Sequence, residues 1–137
     1  TNTIISTQLI GNYNFYNIMA AIAVGRYFNI SLQNIQTSLA TYKPTNSRSQ
    51  ILYIGTNTII LDAYNANPSS MEVALYNFAS LKSKNKIIIL GDMKELGIAS
   101  EEEHQQIVNL INKLDFSEVF LVGPEFKKNT QPRHANI

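Results

Sequence analysis

The chain has no cysteine and only two histidines, His104 and His134. The first absence excludes disulfides and thiolate metal sites, and it fits a reducing compartment such as the cytoplasm. The second leaves no histidine cluster for a metal, because the two stand far apart in the sequence. Charge of one sign is missing too. With 11 basic against 10 acidic residues the net charge is +1, which argues against a nucleic-acid binder that relies on a basic surface. No apolar run reaches the length of a membrane span, and the start lacks the basic-then-apolar pattern of a secretory signal. What remains is a hydrophobic content of 45% and a charged content of 15% over 137 residues, ordinary values for one globular domain with a real core.

The stretch from Asn57 to Ser70 organises the rest. It begins as a β-branched apolar run (Ile59, Ile60, Leu61), turns polar at Asp62, and ends in Asn67-Pro68. Asn as N-cap with Pro at the first helical position is a helix start. Strand, polar turn and helix N-terminus is where open α/β sheets place ligands. Upstream, Thr1 to Ile10 is β-branched and amide-rich and reads as a strand ended by Gly11. Helices are predicted from Asn14 to Phe28 and, after Asn29 and the N-cap Ser31, to about Thr41. Tyr42 to Ser47 is a turn-rich linker and the predicted domain boundary.

Beyond the linker, Ser49 to Ile54 and Thr58 to Leu61 flank Gly55-Thr56-Asn57 and read as a hairpin. The helix from Pro68 aligns Met71, Ala74, Leu75 and Phe78 on one face. Lys86 to Leu90 is an apolar strand closed by Gly91-Asp92. Ser100 to Glu103 reads as a capping box for a helix that turns Ile107, Leu110, Ile111 and Leu114 inward. Glu118 to Val122 is a last strand, with no helix expected after it and a polar, frayed tail from Lys127. The order from Thr58 predicts an α/β fold with a mostly parallel sheet and right-handed crossovers. Both ends of the pattern look cut, so a piece of a longer protein is expected.

Three strand ends, at Asp62, Gly91-Asp92 and Gly123, should share one sheet edge if the strands are parallel. Asp62 is either a turn aspartate bonding its own backbone or a carboxylate for a ribose diol. Asn65 carries the same ambiguity, and for Asn67 capping is the simpler role. Asp92 and Glu95 either orient a cationic amine or belong to a solvated, glycine-bounded loop. His104 is a packing residue or faces the sheet edge. Arg48 is a surface residue or meets phosphate bidentately. No Gly-x-x-x-x-Gly-Lys-Ser/Thr loop is present, so the chain has no Walker-type cradle of its own. The residues assemble no complete catalytic set and no metal site.

Asp62-Ala63-Tyr64-Asn65-Ala66-Asn67-Pro68, followed by Gly91-Asp92-Met93-Lys94-Glu95-Leu96-Gly97 and Glu103-His104, resembles the C-terminal domain of the Mur ligases. Gly11 to Asn17 followed by Ala20-Ala21 is similar to the motif that closes the family's central ATPase domain. The order and spacing of these motifs most resemble the family member that adds a dipeptide.

The resemblance implies a three-layer Rossmann-like sheet, mostly parallel with an N-terminal hairpin, preceded by a helical segment from the end of the central ATPase domain. It implies residues 1–43 as the end of that domain and 44–137 as the Mur ligase C-terminal domain. It implies ATP-dependent amide ligation in cell-wall synthesis, in which D-alanyl-D-alanine joins UDP-N-acetylmuramoyl-tripeptide through an acyl phosphate. Asn14 and Asn17 would then contact adenine, Arg48 the ATP phosphates and Asp62 the ribose. Tyr64, Asn65 and Asn67 would line the cleft, and Asp92 and Glu95 would shape the dipeptide site. Mg2+ would be held by the central domain, which with the N-terminal domain lies outside this chain, so the piece alone would be inactive. Tyr13 stands where many relatives have histidine, and no nucleotide contact is carried to it. Two other readings remain: a folylpolyglutamate synthase-like ligase adding glutamate, and a non-catalytic flavodoxin-like binding module. No nucleic-acid or membrane partner is expected.

Overall fold

The computed structural model describes residues 3–129 and 135–136. Among these, no helix is long and apolar enough to cross a membrane. The chain divides after Tyr64 into two compact units, so the predicted linker at Tyr42 to Ser47 lies inside the first.

In the first unit, residues 3–10 form no strand. Their amide-rich composition is used differently. Gln36 Nε2 donates to the Ile4 carbonyl (2.7 Å) and Gln8 Nε2 to the Ala40 carbonyl (2.8 Å). The segment is thereby tied to a helix rather than to a sheet. Helices α1 (Asn14–Tyr27) and α2 (Leu32–Thr41) follow the predicted bounds closely. Asn29 takes φ 59 after α1, the left-handed stop that asparagine tolerates. Ser31 Oγ then caps α2 by accepting the Asn34 N–H. Gly25 lets the two helices approach: a Cβ there would lie 2.9 Å from Ile35 Cδ1, the end of a buried side chain.

Strands β1 (Gln50–Ile54) and β2 (Asn57–Leu61) form the expected antiparallel hairpin, with Ile54 opposite Asn57. Gly55 at φ +59 opens its two-residue turn, the conformation a glycine-first hairpin loop requires. β2 pairs with β1 alone among the described residues and does not enter the parallel sheet. The α/β class holds. The single mostly parallel sheet running from Thr58 does not: β2 lies in a two-stranded antiparallel sheet with β1, and the parallel pairing begins at β3.

The second unit begins with α3 (Pro68–Ala79), capped by a reciprocal box between Asn67 and Ser70. Strands β3 (Ile87–Gly91), β4 (Glu118–Val122) and β5 (Ala135–Asn136) form a parallel sheet in that order. Helix α4 (Ser100–Lys113) turns His104, Ile107, Val108 and Ile111 into the core with Met71, Leu75, Ile88 and Leu121. Each of the apolar side chains among these contributes on the order of 2 kcal/mol by leaving water.

Two expectations fail here. A short helix, α5 (Pro124–Asn129), follows β4 and seals it with Phe126, which is fully buried. Ser100 is not an N-cap. A 3-10 turn at Gly97–Ala99 precedes it, Ser100 is already helical, and no side chain caps α4. Its hydroxyl instead reaches Glu125 Oε2 at 3.3 Å.

Candidate functional site

In the first unit, three consecutive residues arch over the end of β2. Ser47 and Ser49 both adopt left-handed backbone (φ 56 and 49), a conformation costing a non-glycine residue on the order of 1–2 kcal/mol. Hydrogen bonds offset this cost. The Ser47 carbonyl accepts from Ala63 N–H (2.8 Å) and Tyr64 N–H (3.2 Å), and Ser49 N–H donates to Asp62 Oδ1 (3.1 Å). The buried Ser49 hydroxyl is hydrogen-bonded to the Tyr13 hydroxyl.

Between these anchors, the Arg48 guanidinium lies over the Tyr64 ring, 3.8 Å from its centroid. Asp62 Oδ2 accepts from no described residue, so one carboxylate oxygen is open just past the end of β2. The bond to Ser49 also answers the ambiguity about Asp62 in part: it braces a neighbouring strand entry, not its own turn.

At the start of α1, Asn14 Nδ2 donates to the Ile10 carbonyl (2.6 Å) and Asn14 Oδ1 accepts from Asn17 Nδ2 (3.1 Å). Asn14 is buried, whereas Asn17 is exposed. The first holds the second. Tyr13, adjacent to Asn14, carries this helix start to the arch through Ser49. Asn17, Arg48 and Asp62 are therefore linked by a short chain of bonds through Asn14, Tyr13 and Ser49.

In the second unit the loop after β3 is held from beneath. Asp92, whose side chain is 4% exposed, accepts from Glu125 N–H (3.0 Å, Oδ2) and Phe126 N–H (2.9 Å, Oδ1). Its carboxylate thus meets the free amides and positive end of α5. Gly123, at φ +119, has no room for a Cβ beside that carboxylate. The ends of β3 and β4 accordingly share one edge, as expected for parallel neighbours.

Fully buried His104 holds the next residue. Its Nε2 accepts the Met93 N–H (3.1 Å), and its Nδ1–H donates to the Ser100 carbonyl (2.7 Å). These two bonds require the neutral ring protonated at Nδ1. Asp92 Oδ1 lies 3.8 Å from Nε2, but that lone pair is already taken, so the two form no ion pair.

The loop above is an open groove of about 500 Å³, with Lys94, Glu95, Ile98 and Glu101 among the side chains on its walls. Glu95 is exposed at φ 64, which turns the backbone sharply there. At the rim, Lys128 Nζ donates to Glu125 Oε1 at 2.8 Å. The Lys128 ammonium holds the Glu125 carboxyl below its ordinary value, and Glu125 in turn raises Lys128.

Of the residues singled out from sequence, Asn14, Asn17, Arg48, Asp62 and Tyr64 fall in the first unit. Asn65, Asn67, Asp92 and Glu95 fall in the second. Asn67 is committed to capping α3, and Asn65 Oδ1 accepts the Ala66 N–H (3.0 Å). Among the described residues no three His, Asp or Glu side chains gather in one place. Sequence reading missed Ser47, Ser49 and α5. For α5 a signal existed, since Pro124 follows Gly123 and Glu125 stands in the first turn.

The family described as "Mur ligase, glutamate ligase domain" matches residues 47–136. The chain belongs to the Mur ligase family. It is 36% identical over 122 residues to the UDP-N-acetylmuramoyl-tripeptide–D-alanyl-D-alanine ligase of Treponema pallidum, covering 89% of this chain and 26% of that protein. The same enzyme of Bacillus subtilis is 37% identical over 117 residues, covering 84% of this chain and 26% of the relative. The chain thus spans about a quarter of the length of the curated relatives it matches. A crystal structure of MurF from Acinetobacter baumannii superposes with a TM-score of 0.87 at 24% identity, over 98% of this chain and 30% of that one. MurF ligase from Thermotoga maritima, solved in complex with ADP, gives 0.78 at 24% identity, over 93% and 29%. These likenesses place the α/β arrangement among Mur ligase folds.

Proposed function

We propose that this chain is the part of a UDP-N-acetylmuramoyl-tripeptide–D-alanyl-D-alanine ligase that holds ATP with its first unit and the incoming dipeptide with its second. Residues 1–43 are assigned to the end of a central ATP-binding domain and 44–137 to the C-terminal domain. The observation that carries the reading is the arch Ser47–Ser49, which sets the Arg48 cation and the open oxygen of Asp62 at the end of one strand. A cation with open donors and a carboxylate with an open oxygen, tied together through the Ser49 backbone, suit a nucleoside triphosphate, with phosphate on the guanidinium and the ribose hydroxyls on Asp62.

The donor set fits ATP in further detail. Asn17 is the exposed amide that meets adenine, and Asn14, buried and doubly bonded, fixes its direction. In the second unit Glu95 is the exposed carboxylate for the ammonium of the dipeptide, and Asp92 shapes the loop through α5 rather than by contact. The reaction is phosphoryl transfer from ATP to the tripeptide carboxylate, then attack of the dipeptide amine on the acyl phosphate, which expels phosphate and forms the amide. Mg2+ would supply charge neutralisation on the phosphates, held mainly by the central domain. These residues supply positioning and electrostatics, and no nucleophile or base. The reaction is set in the cytoplasm, where ATP is available.

The test is phosphate release by the intact ligase with ATP and UDP-N-acetylmuramoyl-tripeptide, one amine per arm. Release that depends on D-alanyl-D-alanine is expected. Release with glutamate or diaminopimelate instead would keep the chemistry and overturn the substrate, and no release with any amine would overturn the ligase reading.

A further inference from the structure

We propose that Tyr64 is a positioning residue for Arg48: its ring supports the guanidinium from one face, so that the N–H edge is presented to phosphate oxygens. The inference rests on the reading of Arg48 as the phosphate-binding arginine and assigns that arginine a support.

Three observations carry it. The guanidinium carbon is 3.8 Å from the Tyr64 centroid, within the range where an aromatic quadrupole attracts a cation. No described residue accepts a hydrogen bond from Arg48 or pairs with it as an ion, so the ring is its partner and its donors are open. The backbone fixes the same alignment independently. Ser47 and Ser49, on either side of Arg48, are both left-handed, and the Ser47 carbonyl accepts from the Tyr64 N–H itself. Both side chains are exposed, so the stack is not a by-product of core packing. A ring that holds a guanidinium by its face leaves its fork of donors free for bidentate contact, which a carboxylate partner would occupy.

Equilibrium binding of ATP and of adenosine to the intact ligase tests this with Arg48→Ala, Tyr64→Leu, Tyr64→Phe and the double variant Arg48→Ala/Tyr64→Leu. Losing the arginine should weaken ATP by at least about ten-fold and leave adenosine unchanged. Losing the ring should weaken ATP by about three-fold, with adenosine again unchanged. Tyr64→Phe should bind ATP as the natural protein does, and the double variant should match Arg48→Ala.

Additive losses in the double variant, or equal weakening of adenosine in Tyr64→Leu, would overturn the positioning role. If Arg48→Ala binds ATP normally, the phosphate reading of Arg48 fails first. Should Tyr64→Leu not fold, the unmodified protein decides: ring-current shielding of the Arg48 side-chain protons, retained with ATP bound, is expected. Unshielded protons would contradict it.

Discussion

His104 Nε2 accepts the Met93 N–H at 3.1 Å, which places a fully buried imidazole directly under the first residue of the groove loop. The ring is locked from its other side by the Ser100 carbonyl and meets Phe126 edge-on, centroids 4.7 Å apart. A single side chain therefore joins the loop after β3, the start of α4 and the helix α5.

Replacing it should be costly. His104→Leu leaves the buried Met93 N–H without its partner, whereas the Ser100 carbonyl keeps its helical bond within α4. The expected loss is about 1–3 kcal/mol. Urea unfolding measures it. A variant as stable as the natural protein would mean that the loop finds other partners.

Asp92 makes a second prediction. Asp92→Ala removes the acceptor of two α5 amides and should cost about 1–2 kcal/mol, in the manner of a lost helix cap. Asp92→Asn keeps one acceptor oxygen and should cost less. Amide exchange at Phe126 reads the effect locally, and faster exchange is expected in both. Gly123→Ala should also destabilise, since its Cβ would meet the same carboxylate at a φ of +119.

The Glu125–Lys128 pair sets a pH dependence. Glu125 is lowered from an ordinary 4.5, chiefly by its hydrogen bond to Lys128, so its contribution is present above 4.5 and is lost as pH falls through the lowered value. Lys128 is raised from 10.5 by the same bond, so its contribution is present below 10.5 and is lost as pH rises through the raised value. Lys128 is solvent-exposed and Glu125 half-buried at the rim, and salt screens the pair. Lys128→Met should lower stability slightly at neutral pH and low salt. The difference from the natural protein should vanish in strong acid and at high ionic strength, as measured by thermal melting.

Much of this was legible in the sequence, for identifiable reasons. Ser31, Asn67-Pro68 and Gly55 name their positions because caps and tight turns demand particular residue types. The inward face of α3 is visible because Met71 and Leu75 repeat at helical spacing. Helix α5 was hidden, since its six residues are too few for a period and its support comes from Asp92, far upstream. Ser100 misled because a capping box also describes a serine one turn too late, when a glycine-led 3-10 turn has already started the helix. At the site, Asp62 was visible as a charge at a strand end and Arg48 as one that follows the linker. Their alignment was not, because left-handed serines carry no residue signature comparable to that of glycine or asparagine.

The central claim is a division of labour, nucleotide on the first unit and amine on the second. Steady-state kinetics of the intact ligase with Asp62→Asn and Glu95→Gln tests it most directly. Asp62→Asn keeps an oxygen for the Ser49 N–H and removes the carboxylate acceptor for ribose. It should raise KM for ATP by about ten-fold and leave KM for D-alanyl-D-alanine unchanged. Glu95→Gln should do the reverse. If both variants shift the same constant, or Asp62→Asn shifts neither, the assignment of the two units is wrong.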